Sequence, residues 1–346
     1  MHLFRGLVLL FWVCSFSSWS AISDEFSQLH VPWIGQLKPC TQYPLIKIAD
    51  DSNAEPRYYS TQVCATELRN DGNAPFILGH AQPTQKLIVL FHGLSDSPYY
   101  MRSIAQTLNA QGHTVVVGLL PGHGVLAPLD VLHDPHLASI WRQYVKQVIA
   151  TVRPLGQQLY LGGFSTGGAL ATDYMLDNLA SVDGLMLYSA ALRLSDNAET
   201  LAMLPFAKGL SKLIDGKYST DAINPFKYPE VSNHAALILM DIIREIRTRL
   251  AGTTGINIPI FAAHSQSDQV TPLLGIKELI NVAIAPHTIF EIDESMHVCH
   301  ANLPLNQTQV TEIGLDDPNP LSTCEALKAN PVHKHMMAMA ANFVAQ

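Results

Sequence analysis

The sequence predicts an α/β protein, a doubly wound and mostly parallel sheet carrying an inserted helical cap. Three observations support that fold class. From Lys86 onward, short β-branched runs alternate with stretches of helical periodicity, the pattern of a parallel sheet covered on both faces. The alternation stops at residue 193 and resumes at about 256, leaving a helical block between two strands. Glycines crowd into "LGGFSTGG" (161–168). Such density weakens any regular element, so it marks a backbone shape that is needed more than local stability.

The elements follow in order. "KLIVLF" (86–91) is the first confident strand, and "MRSIAQTLNA" after it places Met101, Ile104, Ala105 and Leu108 at helical spacing. "HTVVVGLL" (113–120) is a strand closed by "PGHG". "LASIWRQYVKQVIATV" sets Ile140, Tyr144, Val145, Val148, Ile149 and Val152 near one helical face. "QLYLG", "TGGALATDYMLDNLA" and "GLMLYSAAL" (184–192) read as strand, helix and strand. Residues 193–255, including "NHAALILMDIIREIRTRL", read as helices and turns and form the expected cap. "IPIFAAH" (258–264), "LLGIKELINVA", "HTIFEID" (287–293) and "VHKHMMAMAANFVA" complete the core as strand, helix, strand and helix. The core thus spans 86–192 and 256–346. Residues 21–85 form an N-terminal segment that reads as irregular, with "YPLIKI" and "YYSTQVCA" its two candidate strands.

Composition bounds the function. Of 346 residues, 48% are hydrophobic and 14% charged, which excludes disorder. The net charge of -8 and the lack of any Lys/Arg cluster argue against nucleic acid or an anionic membrane surface as partner. Residues 1–20 have the shape of a secretory signal peptide: Arg5, an apolar stretch from Leu7 to Val13, then Ser18 and Ser20 before the expected cleavage point near Ser20. The apolar stretch is too short for a membrane anchor, so the chain is expected to be secreted or periplasmic. Beyond Cys14, four cysteines remain: Cys40, Cys64, Cys299 and Cys324. An even number in an exported chain points to disulfides. Three pairings are possible, of which the local pair Cys40–Cys64 with Cys299–Cys324 closes two short loops.

The chemistry centres on Gly163-Phe164-Ser165-Thr166-Gly167, which follows a strand and opens a helix. That is the setting of a nucleophile elbow, with glycines two residues either side to admit the sharp turn. Phosphate-loop patterns are absent there. A serine nucleophile needs a base held by a third group. Asp268 in "FAAHSQSDQVTP" follows a strand end, and His297 in "DESMHVCH" follows the last strand. They are the expected acid and base, preferred over Asp293, His287 and His300. The N–H groups of Leu94, in "LFHGLSDSP", and of Thr166 are the expected oxyanion donors. "HVCH", His333 and His335 lack carboxylate or thiolate partners at ligand spacing, so no metal and no cofactor are expected.

His92-Gly93-Leu94, the elbow at Ser165, Asp268 and His297, in that order, resemble the α/β-hydrolase family over residues 86–346. "FHGLSDSP", "LLPGHG" and the inserted cap are similar to monoacylglycerol lipases, lysophospholipases and bacterial carboxylesterases. Phe164 and Thr166 stand where histidine and methionine are common in the monoacylglycerol lipases. The resemblance implies ester hydrolysis through an acyl-enzyme on Ser165, with a small-molecule or lipid ester as partner. A serine peptidase or acyltransferase on the same triad is the alternative, as is a silent binding protein. Proline-releasing peptidases of the family usually carry a Gly-Gly-Pro run after the first strand, which "HGLSDSP" lacks.

Overall fold

The computed structural model describes residues 14–43, 45, 59–195, 207–215, 223–253, 255–315, 324 and 326–346. Eight strands form one sheet: β1 Tyr59–Gln62, β2 Phe76–Gly79, β3 Thr84–Phe91, β4 Thr114–Gly118, β5 Gly156–Phe164, β6 Gly184–Tyr188, β7 Ile260–Ser265 and β8 His287–Ile292. Their order across the sheet is β1-β2-β4-β3-β5-β6-β7-β8. Pairings β1–β2 and β2–β4 are antiparallel and all others are parallel. The expected doubly wound sheet is therefore present, with a short antiparallel edge.

Ten helices accompany it among the described residues: α1 Cys14–Ile34, α2 Arg102–Ala110, α3 Leu129–Leu132, α4 Leu137–Val152, α5 Thr166–Asp177, α6 Ala207–Ile214, α7 Asn233–Ala251, α8 Leu274–Asn281, α9 Gln307–Ile313 and α10 His333–Ala345. The side-chain alternation of a strand sends successive residues to opposite faces. Along β3, Leu87, Val89 and Phe91 join the core that also holds Trp141 of α4 and Ile242 of α7. Ile88 and Leu90 join the opposite core with Ile104 of α2 and Met336 of α10. Strands buried on both sides read as continuous apolar runs, which is why the central strands stand out in the sequence.

Two expectations change. The N-terminal segment is not irregular throughout: α1 runs to Ile34 and buries Ile22, Phe26, His30 and Ile34. Those four sit at i, i+4, i+8 and i+12, a helical stripe masked by Ser, Asp and Pro32, and the helix ends two residues after the proline. β1 falls inside "YYSTQVCA", whereas most of "YPLIKI" and all of residues 1–13 lie outside the described residues. The block expected as a cap at 193–255 also divides. Its second half, α7, packs along α5 and α4 and buries Ile238, Ile242, Ile243 and Ile246 in the main core.

Cys40 pairs with Cys64 and Cys299 with Cys324, the local connectivity. Among the described residues, no helix is long and apolar enough to cross a membrane.

Candidate active site

The chain reverses direction across the sheet between β3 and β5: β4 lies on one side of β3, and β5 on the other. Loops leaving the carboxyl ends of two such strands diverge and open a crevice. Ser165 follows β5, and His92-Gly93-Leu94 follows β3.

Ser165 occupies φ 51°, ψ −114°, a conformation that a non-glycine residue holds only when its surroundings impose it. Here they do. Its N–H donates to the Tyr188 carbonyl at 3.1 Å, and its own carbonyl accepts from Ala169 and Ala191. A Cβ at Gly163 or Gly167 would overlap the Phe91 carbonyl oxygen, so both glycines are required by the close pass of β3. Ser165 itself is 7% exposed.

His300, not His297, meets the serine. The His300 Nε2 lies 2.9 Å from Ser165 Oγ, and its Nδ1 lies 2.7 Å from Asp268 Oδ2. Since the carboxylate only accepts, Nδ1 carries the proton and Nε2 is left to accept from Ser165. Phe164 packs against the His300 ring, with centroids 4.8 Å apart. His297 is exposed and left-handed at φ 49°. The reason lies in the turn. Asp293 caps a short 3₁₀ segment at Glu294–Met296, its side chain accepting from the Ser295 N–H. His297 ends that turn on the surface, and the chain reaches the serine three residues later. Asp293 is thereby a turn residue, and His287 is an exposed strand start.

Asp268, the carboxylate expected from the sequence, lies beside His300. Its Oδ1 accepts from the N–H groups of Val270 and Thr271, and its Oδ2 from the Thr271 hydroxyl as well as from His300. Burial pushes its carboxyl up. The charge and hydrogen bond of His300, the charge of His264 and the Thr271 N–H overcome that and hold it well below the usual carboxylate range. Thr271 and His264 were not legible as site residues. Thr271 is fully buried, its hydroxyl also 3.2 Å from His300 Nδ1. His264 Nε2 donates to the Thr271 carbonyl at 2.7 Å and so holds the same turn from below. The one available signal was the Asp-x-x-Thr spacing, which favours a side-chain-capped turn.

Leu94 and Thr166 line one cavity with Ser165 and His300. Among the described residues, neither of their backbone N–H groups has a protein acceptor. Thr166 opens α5, so its N–H is one of the orphan donors of a helix N-terminus. The cavity measures about 290 Å³ and is walled mainly by Leu194, Val231, Leu239, Val270 and the Cys299–Cys324 bridge. Its polar exceptions include Asp96 and Lys227, which form an ion pair. Among the described residues, no group of three or more His, Cys, Asp or Glu side chains is arranged to hold a metal ion.

Comparison with known proteins shows what the chain is similar to. A thermostable monoacylglycerol lipase of Bacillus sp. (strain H-257) is 24% identical over 238 residues, 66% of this chain and 88% of that one. Among solved structures, a Paleococcus ferrophilus monoacylglycerol lipase superposes with TM-score 0.53 at 16% identity, covering 83% of this chain and 98% of its own. A soluble variant of the Saccharomyces cerevisiae monoglyceride lipase, bound to a substrate analog, gives TM-score 0.56 at 12% identity, covering 88% and 98%. Both share the fold. Residues 82–303 match the family model described as "Serine aminopeptidase, S33" (Hydrolase_4), and the chain belongs to that family of α/β-hydrolases.

Proposed function

We propose that this chain is an exported serine hydrolase that cleaves carboxylic esters of apolar acyl chains through an acyl-enzyme on Ser165. The observation that carries the reading is the continuous hydrogen-bonded set Ser165–His300–Asp268 beside two free backbone donors. In the reaction, Ser165 Oγ attacks the ester carbonyl while its proton passes to His300 Nε2. Asp268 stays ionised and stabilises the imidazolium. The tetrahedral oxyanion is held by the N–H groups of Leu94 and Thr166, each worth roughly 3 to 4 kcal/mol of barrier. Collapse returns the proton to the leaving alcohol, and a water activated by the same Nε2 releases the acid. No cofactor enters any of these steps.

The apolar walls favour an acyl chain, and the Bacillus and Paleococcus relatives are monoacylglycerol lipases. The family description keeps a peptidase reading in view. An aminopeptidase must hold a free ammonium group, which calls for an uncompensated carboxylate. Asp96 is the one carboxylate lining the cavity among the described residues, and Lys227 already neutralises it. Export is supported by the two disulfides.

The test is a series of p-nitrophenyl esters from acetate to palmitate, run beside an aminoacyl p-nitroanilide, with wild type and Ser165→Ala. Ester turnover that depends on Ser165 and peaks at one chain length is expected, with no anilide cleavage. Anilide cleavage alone would replace the esterase with a peptidase.

A further inference from the structure

The helix α1 lies ahead of the family match at 82–303, yet a chain of buried hydrogen bonds joins it to the oxyanion loop. His30 is fully buried, and its Nδ1 lies 2.7 Å from the Phe26 carbonyl. A carbonyl only accepts, so Nδ1 carries the proton and Nε2 is an acceptor. The Tyr144 hydroxyl, 2.7 Å away, must therefore donate to it. With its single proton committed, that hydroxyl accepts from the Leu119 N–H at 2.8 Å. The next N–H along, Leu120, donates to His92 Nε2 at 3.1 Å. That fixes the second tautomer: His92 Nδ1–H donates to the Gly93 carbonyl at 2.8 Å. Burial drives the His30 pKa down to about 4 and that of His92 well below its ordinary value, so both rings stay neutral as the chain requires.

The last link reaches the chemistry. The Gly93 carbonyl and the Leu94 N–H belong to one planar trans peptide unit, so they point in opposite directions. With the carbonyl held by His92, the opposed N–H is left for the cavity that Leu94 lines together with Ser165. Among the described residues, one other donor holds that carbonyl, the Asp96 N–H at 3.2 Å, across a turn in which Ser95 is left-handed at φ 65°. Leu119, Leu120, His92 and Tyr144 are each at most 2% exposed, so water has no room to replace a lost partner.

We propose that α1, through His30 and Tyr144, is a positioning element for the Leu94 oxyanion donor. This rests on the reading of Leu94 as that donor. Without the Tyr144 hydroxyl, both His30 Nε2 and the Leu119 N–H are buried unpaired. The 119–120 backbone relieves this by shifting, and it carries His92 and the Gly93–Leu94 peptide with it.

The test uses the full chain with Tyr144→Phe, His30→Leu and His30→Gln. Turnover of p-nitrophenyl butyrate is read beside the affinity for a trifluoromethyl ketone, which forms a tetrahedral oxyanion adduct on the serine. Tyr144→Phe and His30→Leu are expected to lower kcat about 10-fold, less than outright loss of a donor, with KM within about twofold. Ketone affinity is expected to fall in step with kcat/KM. His30→Gln, which restores an acceptor, recovers most of the loss. Ile34→Val loosens α1 without touching the chain, and should lower Tm while leaving kcat and ketone affinity alone. Folded Tyr144→Phe and His30→Leu proteins with wild-type kcat and ketone affinity would overturn the inference. So would an Ile34→Val protein that loses kcat in proportion to Tm. A wild type without turnover dependent on Ser165 would remove the esterase reading and the inference with it. A turning-over wild type with indifferent variants removes the inference alone.

Discussion

Thr271 shows how much of the site depends on one small side chain. Its hydroxyl donates to Asp268 Oδ2 and its N–H to Oδ1, so the acid is gripped on both oxygens from a single residue. Thr271→Val keeps the shape and deletes the O–H. Asp268 then retains His300 and two backbone donors but loses its fixed rotation. The expected result is a fall in kcat of about 10-fold with KM little changed, restored by Thr271→Ser. Steady-state kinetics on a p-nitrophenyl ester check it; an unchanged kcat for Thr271→Val would show that the backbone donors alone fix the carboxylate. Ser165 was readable in the sequence because the glycines on both sides of it have one structural explanation. His300 was not, because the number of residues spent in the turn after β8 depends on Asp293 capping it, and composition and periodicity are silent about turn length.

At the scale of elements, the segment from Pro225 to Tyr228 is fastened over the loop that follows β3. The Tyr228 N–H donates to the Ser95 carbonyl at 2.9 Å, Arg69 donates to the Lys227 carbonyl at 3.0 Å, and Lys227 pairs with buried Asp96. Removing one partner of such a pair strands a charge, whereas removing both does not. Lys227→Met is expected to cost about 3 kcal/mol in chemical denaturation, and Asp96→Asn in the same chain to restore much of it. A single variant as stable as the wild type would mean that water reaches Asp96. The Cys299–Cys324 bridge plays a comparable part on the far wall, because Cys299 immediately precedes His300. The strands β3 to β7 were legible because each is largely an apolar run buried on both faces, whereas β8 is an edge strand with Ile292 alone buried among its residues. α1 was not legible: its apolar stripe is interrupted by His30, a polar residue whose buried ring is satisfied by the Phe26 carbonyl and the Tyr144 hydroxyl. Periodicity identifies α7 as a helix but does not say which layer its apolar face packs against.

For the whole molecule, the buried neutral histidines set an acid limit. Burial lowers His30, His123 and His333 from 6.5 to about 4, against the pull of their carbonyl partners. The unfolded chain binds protons at these sites as pH falls below about 6.5, whereas the folded chain does not until about 4. Stability is therefore complete above about 6.5 and is lost as pH falls through the window from 6.5 to 4, by at most about 3 kcal/mol per histidine. Asp268, held low by its partners, works in the same direction below the usual carboxylate range. Thermal melts at pH 7.5 and 5.0 should show a clear fall in Tm at the lower pH; equal values would mean that these histidines titrate normally. The fold as a whole serves to bring loops from β3, β5, β7 and β8 to one point, and the central claim is that they meet as Ser165, His300 and Asp268. The most direct measurement is kcat/KM on a p-nitrophenyl ester for His300→Ala beside His297→Ala. A loss of about 10³-fold or more for His300→Ala, with His297→Ala within about threefold of wild type, is the predicted result. The reverse pattern, or a fully active His300→Ala, would contradict it.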